Sequence, residues 1–181
     1  MLFFVSGASA SGKSALAERI CAALPGERIY IATMPVRTEE DERVVARHHA
    51  LRAGRGFAYT LERPGALGDI PPDPCALFEC LSTFTANRMF DGDCRENPAA
   101  RAAADWEAGL WDELRALTER PGDTVIVSAD VVSDGADYGE WTELYRRVLT
   151  GLGVRCAARA DCAVEAVCGI PIVRKGALPF L

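Results

Sequence analysis

The sequence has few histidines and lysines and no long apolar run. It holds two histidines in 181 residues, and only Lys13 and Lys175 among its twenty basic residues are lysines. No window approaches eighteen consecutive apolar residues, and the N-terminus has no basic segment followed by a long apolar one. The net charge of −6 argues against a basic face that would coat nucleic acid. We therefore expect a cytoplasmic protein that binds neither nucleic acid nor a membrane.

The cysteines also lack the spacings of metal or redox sites. The chain has seven, an odd number, and no two of them form a C-x-x-C pair. Most lie within apolar segments, which favours buried thiols in a reducing compartment. Length and a hydrophobic content of 49% suit one globular domain over residues 1–181.

The most informative segment matches the phosphate-loop pattern G-x-x-x-x-G-K-[ST]. It comprises Gly7, Ala8, Ser9, Ala10, Ser11, Gly12, Lys13 and Ser14. A short apolar run precedes it and a helical pattern follows it, as this motif requires. We expect the backbone N–H groups to hold nucleotide phosphates, Lys13 to reach the β- and γ-phosphates, and the Ser14 hydroxyl to bind Mg²⁺. The sequence thus predicts a protein that binds GTP or ATP.

Apolar runs alternate with helical patterns along the whole chain. We predict strands over 2–5, 28–32, 76–79, 124–128, 163–167 and 170–173, and helices over 13–24, 39–53, 83–90, 99–119 and 140–152. Pro-Gly pairs mark several of the boundaries, and the polar segment 91–98 is predicted as a mobile loop. This alternation predicts an α/β, P-loop NTPase-like fold with a mainly parallel sheet and helices on both faces.

Two acids follow predicted strands directly. Glu79 ends one apolar run and Asp130 lies just beyond another. Phosphate-loop enzymes place an acid at such a strand end to hold Mg²⁺, and open α/β sheets bind ligands there. A glutamate that simply leaves the sheet toward solvent is the alternative for Glu79.

The two histidines, His48 and His49, are neighbours on a strongly charged helical segment. Adjacent helical residues point about 100° apart, so both cannot face one site equally. A neutral imidazole can attack phosphorus, and nearby arginines could stabilise the developing charge. Two solvated histidines on a charged helix fit the spacing equally well. The residues alone leave this choice open.

Several segments together resemble the bifunctional adenosylcobinamide kinase/adenosylcobinamide-phosphate guanylyltransferase family of cobalamin biosynthesis, over nearly the whole length. They are Val5-Ser6-Gly7 with the phosphate loop, Tyr30-Ile31-Ala32-Thr33-Met34, His48 with Arg52-Ala53-Gly54-Arg55-Gly56-Phe57 and Glu62, Phe78-Glu79-Cys80-Leu81-Ser82-Thr83 with Asn87, and Gly169-Ile170-Pro171 with Lys175-Gly176. The phosphate loop is generic, whereas the tyrosine strand, the helical histidine and Glu-Cys-Leu are much more specific.

The resemblance implies two reactions and a role for each matching residue. A nucleoside triphosphate phosphorylates the aminopropanol hydroxyl of adenosylcobinamide, and GTP then guanylylates a histidine that passes GMP to the substrate phosphate. By resemblance His48 is the nucleophile with His49 as fallback, and Lys13 and Glu79 are also catalytic. Ser14 and Glu79 hold Mg²⁺, and Arg52 and Glu62 join the loop in binding the nucleotide. The family also implies a homotrimer.

The chain departs from the family pattern at Val44, Ala129 and Cys156, among other positions. These departures leave open a monofunctional phosphate-loop kinase or NTPase and a non-catalytic nucleotide-binding protein derived from the family. Lys175 could contact phosphate or be solvated. Trp106 and Trp111 are interpreted as packing residues.

Overall fold

The computed structural model describes residues 1–52, 54–90, 101–131 and 138–180, and for residues 48, 49, 51 and 52 it describes the backbone alone. The predicted mobile loop over 91–98 lies outside the described residues. Within them the chain forms seven strands and five helices. In order these are β1 (Leu2–Gly7), α1 (Lys13–Ala23), β2 (Arg28–Ala32), α2 (Glu39–Arg52), β3 (Tyr59–Glu62), β4 (Cys75–Glu79), α3 (Leu81–Phe90), α4 (Ala103–Thr118), β5 (Thr124–Ala129), α5 (Glu140–Arg159), β6 (Cys162–Val167) and β7 (Ile170–Lys175).

All seven strands join one sheet in the order β3-β2-β4-β5-β1-β6-β7. The first six are parallel to their neighbours, and β7 alone runs antiparallel, beside β6. The mainly parallel sheet predicted from the alternating pattern is confirmed. Parallel strands end at one edge, so the phosphate loop after β1 shares that edge with the ends of β2, β4 and β5.

Helices cover both faces of the sheet, as predicted. The apolar side of α1 packs on one face, where Leu16 and Ile20 meet buried side chains such as Val5 and Leu77. Helices α3, α4 and α5 pack on the other face and against each other. The central strands are buried on both faces, which explains their continuous apolar sequence.

Helix α2 differs from the other helices because none of its described side chains is buried. Its start is defined by a reciprocal cap: the Asp41 N–H donates to Thr38 Oγ1 at 3.2 Å, and Asp41 Oδ2 accepts from the Thr38 N–H at 2.9 Å. The Arg37 N–H bond, followed by the Thr38 hydroxyl, lowers the pKa of Asp41. The first turn of α2 is acidic, with Glu39, Glu40, Asp41 and Glu42, which complements the helix dipole.

Three element predictions were wrong in detail. Strand β3 was missed, because it is four residues long with its ends exposed and lacks an apolar run. Helix α5 continues to Arg159 beyond the predicted end at 152, since Leu152 and Cys156 keep its buried side on the sheet although Gly151 and Gly153 interrupt the pattern. Helix α4 begins at Ala103, later than predicted.

The described cysteines largely confirm the buried-thiol prediction. Cys21, Cys75, Cys156 and Cys162 are buried, Cys80 is half-buried, and Cys168 is exposed. Burial raises the pKa of Cys156 to about 12, so this thiol stays protonated at neutral pH. Among the described helices, none has the length and apolar character needed to cross a membrane.

Candidate active site at the carboxyl edge of the sheet

The phosphate loop curls back on itself between β1 and α1. The Ser11 N–H donates to the Ala8 carbonyl at 3.2 Å, and the Gly169 N–H of the β6–β7 turn donates to the Ser11 carbonyl at 2.9 Å. Gly12 has φ +91°, a conformation that side chains disfavour, and a Cβ there would lie 3.2 Å from the Gly169 Cα. The turn between β6 and β7 therefore packs against the phosphate loop and supports its conformation.

Lys13 and Ser11 have different surroundings in the phosphate loop. Lys13 Nζ donates to the Ala8 carbonyl at 3.1 Å, which holds the ammonium over the loop. Ser11 is 7% exposed, and its Oγ has no hydrogen-bond partner among the described residues. The Ser11 Oγ lies against Gly7, where a Cβ would clash with it, so this hydroxyl is buried beneath the loop. The loop is built to hold an anion at the N-terminus of α1.

The structure brings Ser14 and Glu79 together, as the sequence predicted. The Ser14 hydroxyl on α1 donates to Glu79 Oε1 at the end of β4. The Tyr30 hydroxyl of β2 donates to Glu79 Oε2. The alternative that Glu79 merely points to solvent is wrong, because both carboxylate oxygens are engaged at the loop. A hydroxyl and a carboxylate are oxygen ligands of the kind that Mg²⁺ binds beside nucleotide phosphates.

A second set of hydrogen bonds fixes the strand ends around Glu79. The Thr33 Oγ1 accepts from the Cys80 N–H at 2.8 Å and lies 3.0 Å from the Glu79 carbonyl. Asn87 Nδ2 donates to the carbonyls of Thr33 at 2.7 Å and Pro64 at 2.8 Å. These bonds join β2, β4, α3 and the segment after β3, so they hold the Glu79 backbone rigidly.

Sequence reasoning assigned no role to Tyr30, Thr33 or Asn87, although all three belong to the resembling segments. In the structure each of the three is a polar side chain that is at least nine-tenths buried. Buried polar groups need partners, and here the partners belong to the Glu79 strand end and its surroundings.

Asp130 lies beside the phosphate loop on its other side. Its N–H donates to the Gly7 carbonyl at 2.9 Å, which ties the end of β5 to the beginning of the loop. The second predicted strand-end acid is thus at the same edge as Glu79. The departure at Ala129 lies at the end of β5, level with Gly7 on β1.

Glu62 ends β3, and His48 and Arg52 belong to helix α2. Ala32 is level with Glu62 on β3 and with Glu79 on β4, so the two glutamates are two strands apart, about 10 Å by the usual strand spacing. His48, His49 and Arg52 belong to α2, which follows β2 from the same edge. Their side chains lie outside the described part of the chain.

Four further residues singled out in the sequence have structural roles. Lys175 Nζ donates to the Ala158 carbonyl at 2.7 Å, so it binds the end of α5; its side chain is exposed, which agrees with the solvated alternative. Trp106 and Trp111 pack against the core, as interpreted from the sequence. Cys156 is fully buried, so this departure from the family pattern affects packing in the core.

Comparison with known proteins agrees with this geometry. The model of the family described as cobinamide kinase / cobinamide phosphate guanyltransferase matches residues 3–173. The chain is 29% identical to the bifunctional adenosylcobalamin biosynthesis protein CobP of Pseudomonas aeruginosa, covering 95% of this chain and 96% of that protein. It is 28% identical to CobU of Salmonella typhimurium, covering 97% and 100%, respectively.

A solved structure supports the fold alone. An ATPase from the type III secretion system of pathogenic bacteria superposes with a TM-score of 0.53 at 13% identity. The match covers 96% of this chain and 56% of that one, so the chain corresponds to a little over half of the ATPase. The shared part is the α/β nucleotide-binding architecture.

Proposed function

This chain belongs to the cobinamide kinase / cobinamide phosphate guanyltransferase family, and we propose that it phosphorylates adenosylcobinamide and then transfers GMP to the new phosphate, giving adenosylcobinamide-GDP. The observation that carries this proposal is the contact of Ser14 with Glu79 beside the phosphate loop, at the edge from which α2 with its histidines extends. The proposed reactions require the nucleotide phosphates and a histidine nucleophile to meet at this edge.

In the kinase step, the aminopropanol oxygen attacks the γ-phosphorus of a nucleoside triphosphate. The bond from that phosphorus to the bridging oxygen breaks, the nucleoside diphosphate leaves, and the hydroxyl proton is lost to solvent. The Lys13 ammonium stabilises charge on the transferred phosphoryl group, because it can exchange the Ala8 carbonyl for phosphate oxygens. Ser14 and Glu79 would hold Mg²⁺, which supplies neutralising charge to the phosphates when bound.

In the guanylyl step, a His48 imidazole nitrogen attacks the α-phosphorus of GTP. The α–β bridging bond breaks and pyrophosphate leaves, so GMP stays joined to the enzyme through a phosphorus–nitrogen bond. A phosphate oxygen of adenosylcobinamide phosphate then attacks the same phosphorus and releases the imidazole. We assign Arg52, one helical turn beyond His48, and Glu62 at the end of β3 to nucleotide binding.

The two adjacent histidines provide the test and its matched control. The wild type, His48→Ala and His49→Ala proteins are incubated with Mg²⁺ and GTP labelled with ³²P at the α-phosphate, then separated on a denaturing gel. We expect label in the wild type and in His49→Ala, and none in His48→Ala. The label should be lost in acid and kept in alkali, as a phosphoramidate requires.

Each alternative has a distinct result in the same assay. Labelling of His48→Ala at the wild-type level, with loss in His49→Ala, would assign the nucleophile to His49. Transfer of γ-phosphate to adenosylcobinamide without any labelled enzyme would indicate a monofunctional kinase. GTP binding without either reaction would indicate a non-catalytic protein.

We further propose a cytoplasmic homotrimer. The family resemblance implies the trimer, and the β6–β7 hairpin carries apolar side chains that one chain leaves exposed, including Ile170 at 63%. Free thiols at all six described cysteines suit a reducing compartment.

A further inference from the structure

A cleft of about 360 Å³ lies between the sheet and helix α5, on the face opposite α1. Its floor is formed by the carboxyl halves of β1, β5 and β6, and its wall by the second half of α5. Gly7 of the phosphate loop and Asp130 border it. The volume is within the range of small-molecule sites, and the cleft touches the candidate active site.

The floor of this cleft carries a row of polar side chains. Ser6 on β1 is level with Ser128 on β5 and with Glu165 on β6, so the three side chains lie side by side across neighbouring strands. Earlier positions on the same face are apolar, such as Phe4 and Ile126 in the core under the helices. Ser128 is 5% exposed, and among the described residues its Oγ has one contact, at 3.4 Å with the neighbouring Ala129 carbonyl.

Gly153 leaves the α5 wall of the cleft without a side chain at its position. A Cβ on Gly153 would make only an ordinary contact, 3.8 Å from Phe4 Cζ, so a larger side chain there would extend into space that the cleft now occupies. The rest of the wall is formed by aliphatic side chains of α5, including Leu149 and Val154. A polar floor under an apolar wall suits a ligand with both kinds of surface.

Two acidic side chains border the cleft, and an arginine offsets the charge of one of them. Asp130 and Glu165 both border it, and Glu165 Oε2 is bound by Arg174 at 2.7 Å. Carboxylates repel anions and accept hydrogen bonds from neutral N–H and O–H groups. The serine hydroxyls add donors and acceptors without charge. The triphosphate therefore belongs over the α1 side of the loop, and a neutral polar group belongs in the cleft.

We propose that this cleft binds the neutral, amide- and hydroxyl-bearing arm of the phosphoryl acceptor, an inference that rests on the function proposed above. In-line phosphoryl transfer places the acceptor and the leaving group on opposite sides of the reacting phosphorus. A nucleotide held at the α1 side and an acceptor held on the α5 side satisfy that requirement. Ser6, Ser128 and Glu165 supply the hydrogen bonds, and Gly153 supplies the room.

The test fills the cleft and leaves the phosphate loop untouched. Gly153→Leu adds a side chain into the cleft, and the matched control Ala158→Leu adds the same side chain at an exposed position of the same helix. Calorimetric titration with cobinamide measures acceptor binding without turnover, and titration with GTP measures nucleotide binding. We expect Gly153→Leu to weaken cobinamide binding at least tenfold and to change GTP affinity less than twofold. Ala158→Leu should change neither.

A second variant keeps the test decisive if Gly153→Leu fails to fold. Ser6→Ala with Ser128→Ala removes both hydroxyls at little change in volume, and should raise the acceptor KM three- to tenfold with GTP affinity unchanged. Unchanged cobinamide binding in the folded variants would overturn the proposal. A loss of GTP affinity alone would reassign the cleft to the nucleotide. Failure of the proposed function is recognised separately, because wild-type enzyme would then transfer neither phosphate nor GMP.

Discussion

Glu79 joins three elements at a single carboxylate. Ser14 from α1 and Tyr30 from β2 each donate to one of its oxygens, while Thr33 holds its backbone. Two hydroxyl donors orient the carboxylate toward the phosphate loop. The residue is therefore placed to share Mg²⁺ with nucleotide phosphates.

We predict that Glu79→Gln weakens the use of Mg²⁺ far more than it weakens folding. The amide keeps the size of the side chain but removes the charge, so the Mg²⁺ concentration that gives half the maximal phosphorylation rate should rise about 10- to 100-fold. The measurement is the initial rate of adenosylcobinamide phosphorylation over a Mg²⁺ series. Asp112→Asn, on the exposed surface of α4, is the matched control. A Mg²⁺ curve identical to wild type would remove Glu79 from the metal site.

At this scale the sequence indicated the proposed Mg²⁺ ligands, but it did not indicate the residues that orient them. Ser14 was predicted from its motif and Glu79 from its place after an apolar strand, since both signals are local. The Tyr30 contact was not predictable, because it joins strands that are neighbours in the sheet but 49 residues apart in sequence. Which histidine acts was likewise not decidable from spacing, because neighbouring helical positions share the same sequence context.

Helix α5 extends beyond the part of the sequence that has a helical pattern. Two glycines, Gly151 and Gly153, lower its intrinsic propensity, yet the helix runs on to Arg159. Buried Leu152 and Cys156 hold it to the sheet, and tertiary packing outweighs propensity. Strand β3 shows the opposite effect. Its sequence has no strand pattern, and only its pairing with β2 identifies it as a strand.

The end of α5 is also bound by Lys175, which the sequence left as a possible phosphate contact. We predict that Lys175→Met lowers the free energy of unfolding by about 0.5–1 kcal/mol, because the last helical carbonyls lose a cationic donor. Urea unfolding followed by circular dichroism measures this. Lys175→Arg keeps a donor and should restore most of the loss. A large fall in GTP affinity in Lys175→Met would contradict the purely structural role.

The fold class of the whole molecule could be predicted from the order of apolar runs and helical patterns along the chain. Alternating apolar runs and helices leave few arrangements other than a parallel sheet covered on both faces, because each crossover returns the chain to the same edge. The position of the cleft under α5 could not be predicted, since it depends on Ser6, Ser128 and Glu165 becoming level only when three distant strands pair.

The apolar side chains that a single chain leaves exposed point to assembly with further copies of the chain. Val167, Ile170 and Ile172 lie on one face of the β6–β7 hairpin and are 39%, 63% and 36% exposed. Grouped apolar side chains beside an open sheet edge are typical of an interface.

We predict that light scattering gives the wild type a mass about three times the 19.5 kDa of one chain. The Ile170→Asp variant should have a mass closer to that of a single chain, because a carboxylate cannot be buried at this position without a partner. The exposed Val36→Asp is the control with the same chemistry elsewhere. A wild-type protein with the mass of one chain would exclude the trimer, and an unchanged trimer in Ile170→Asp would place its interface away from this hairpin.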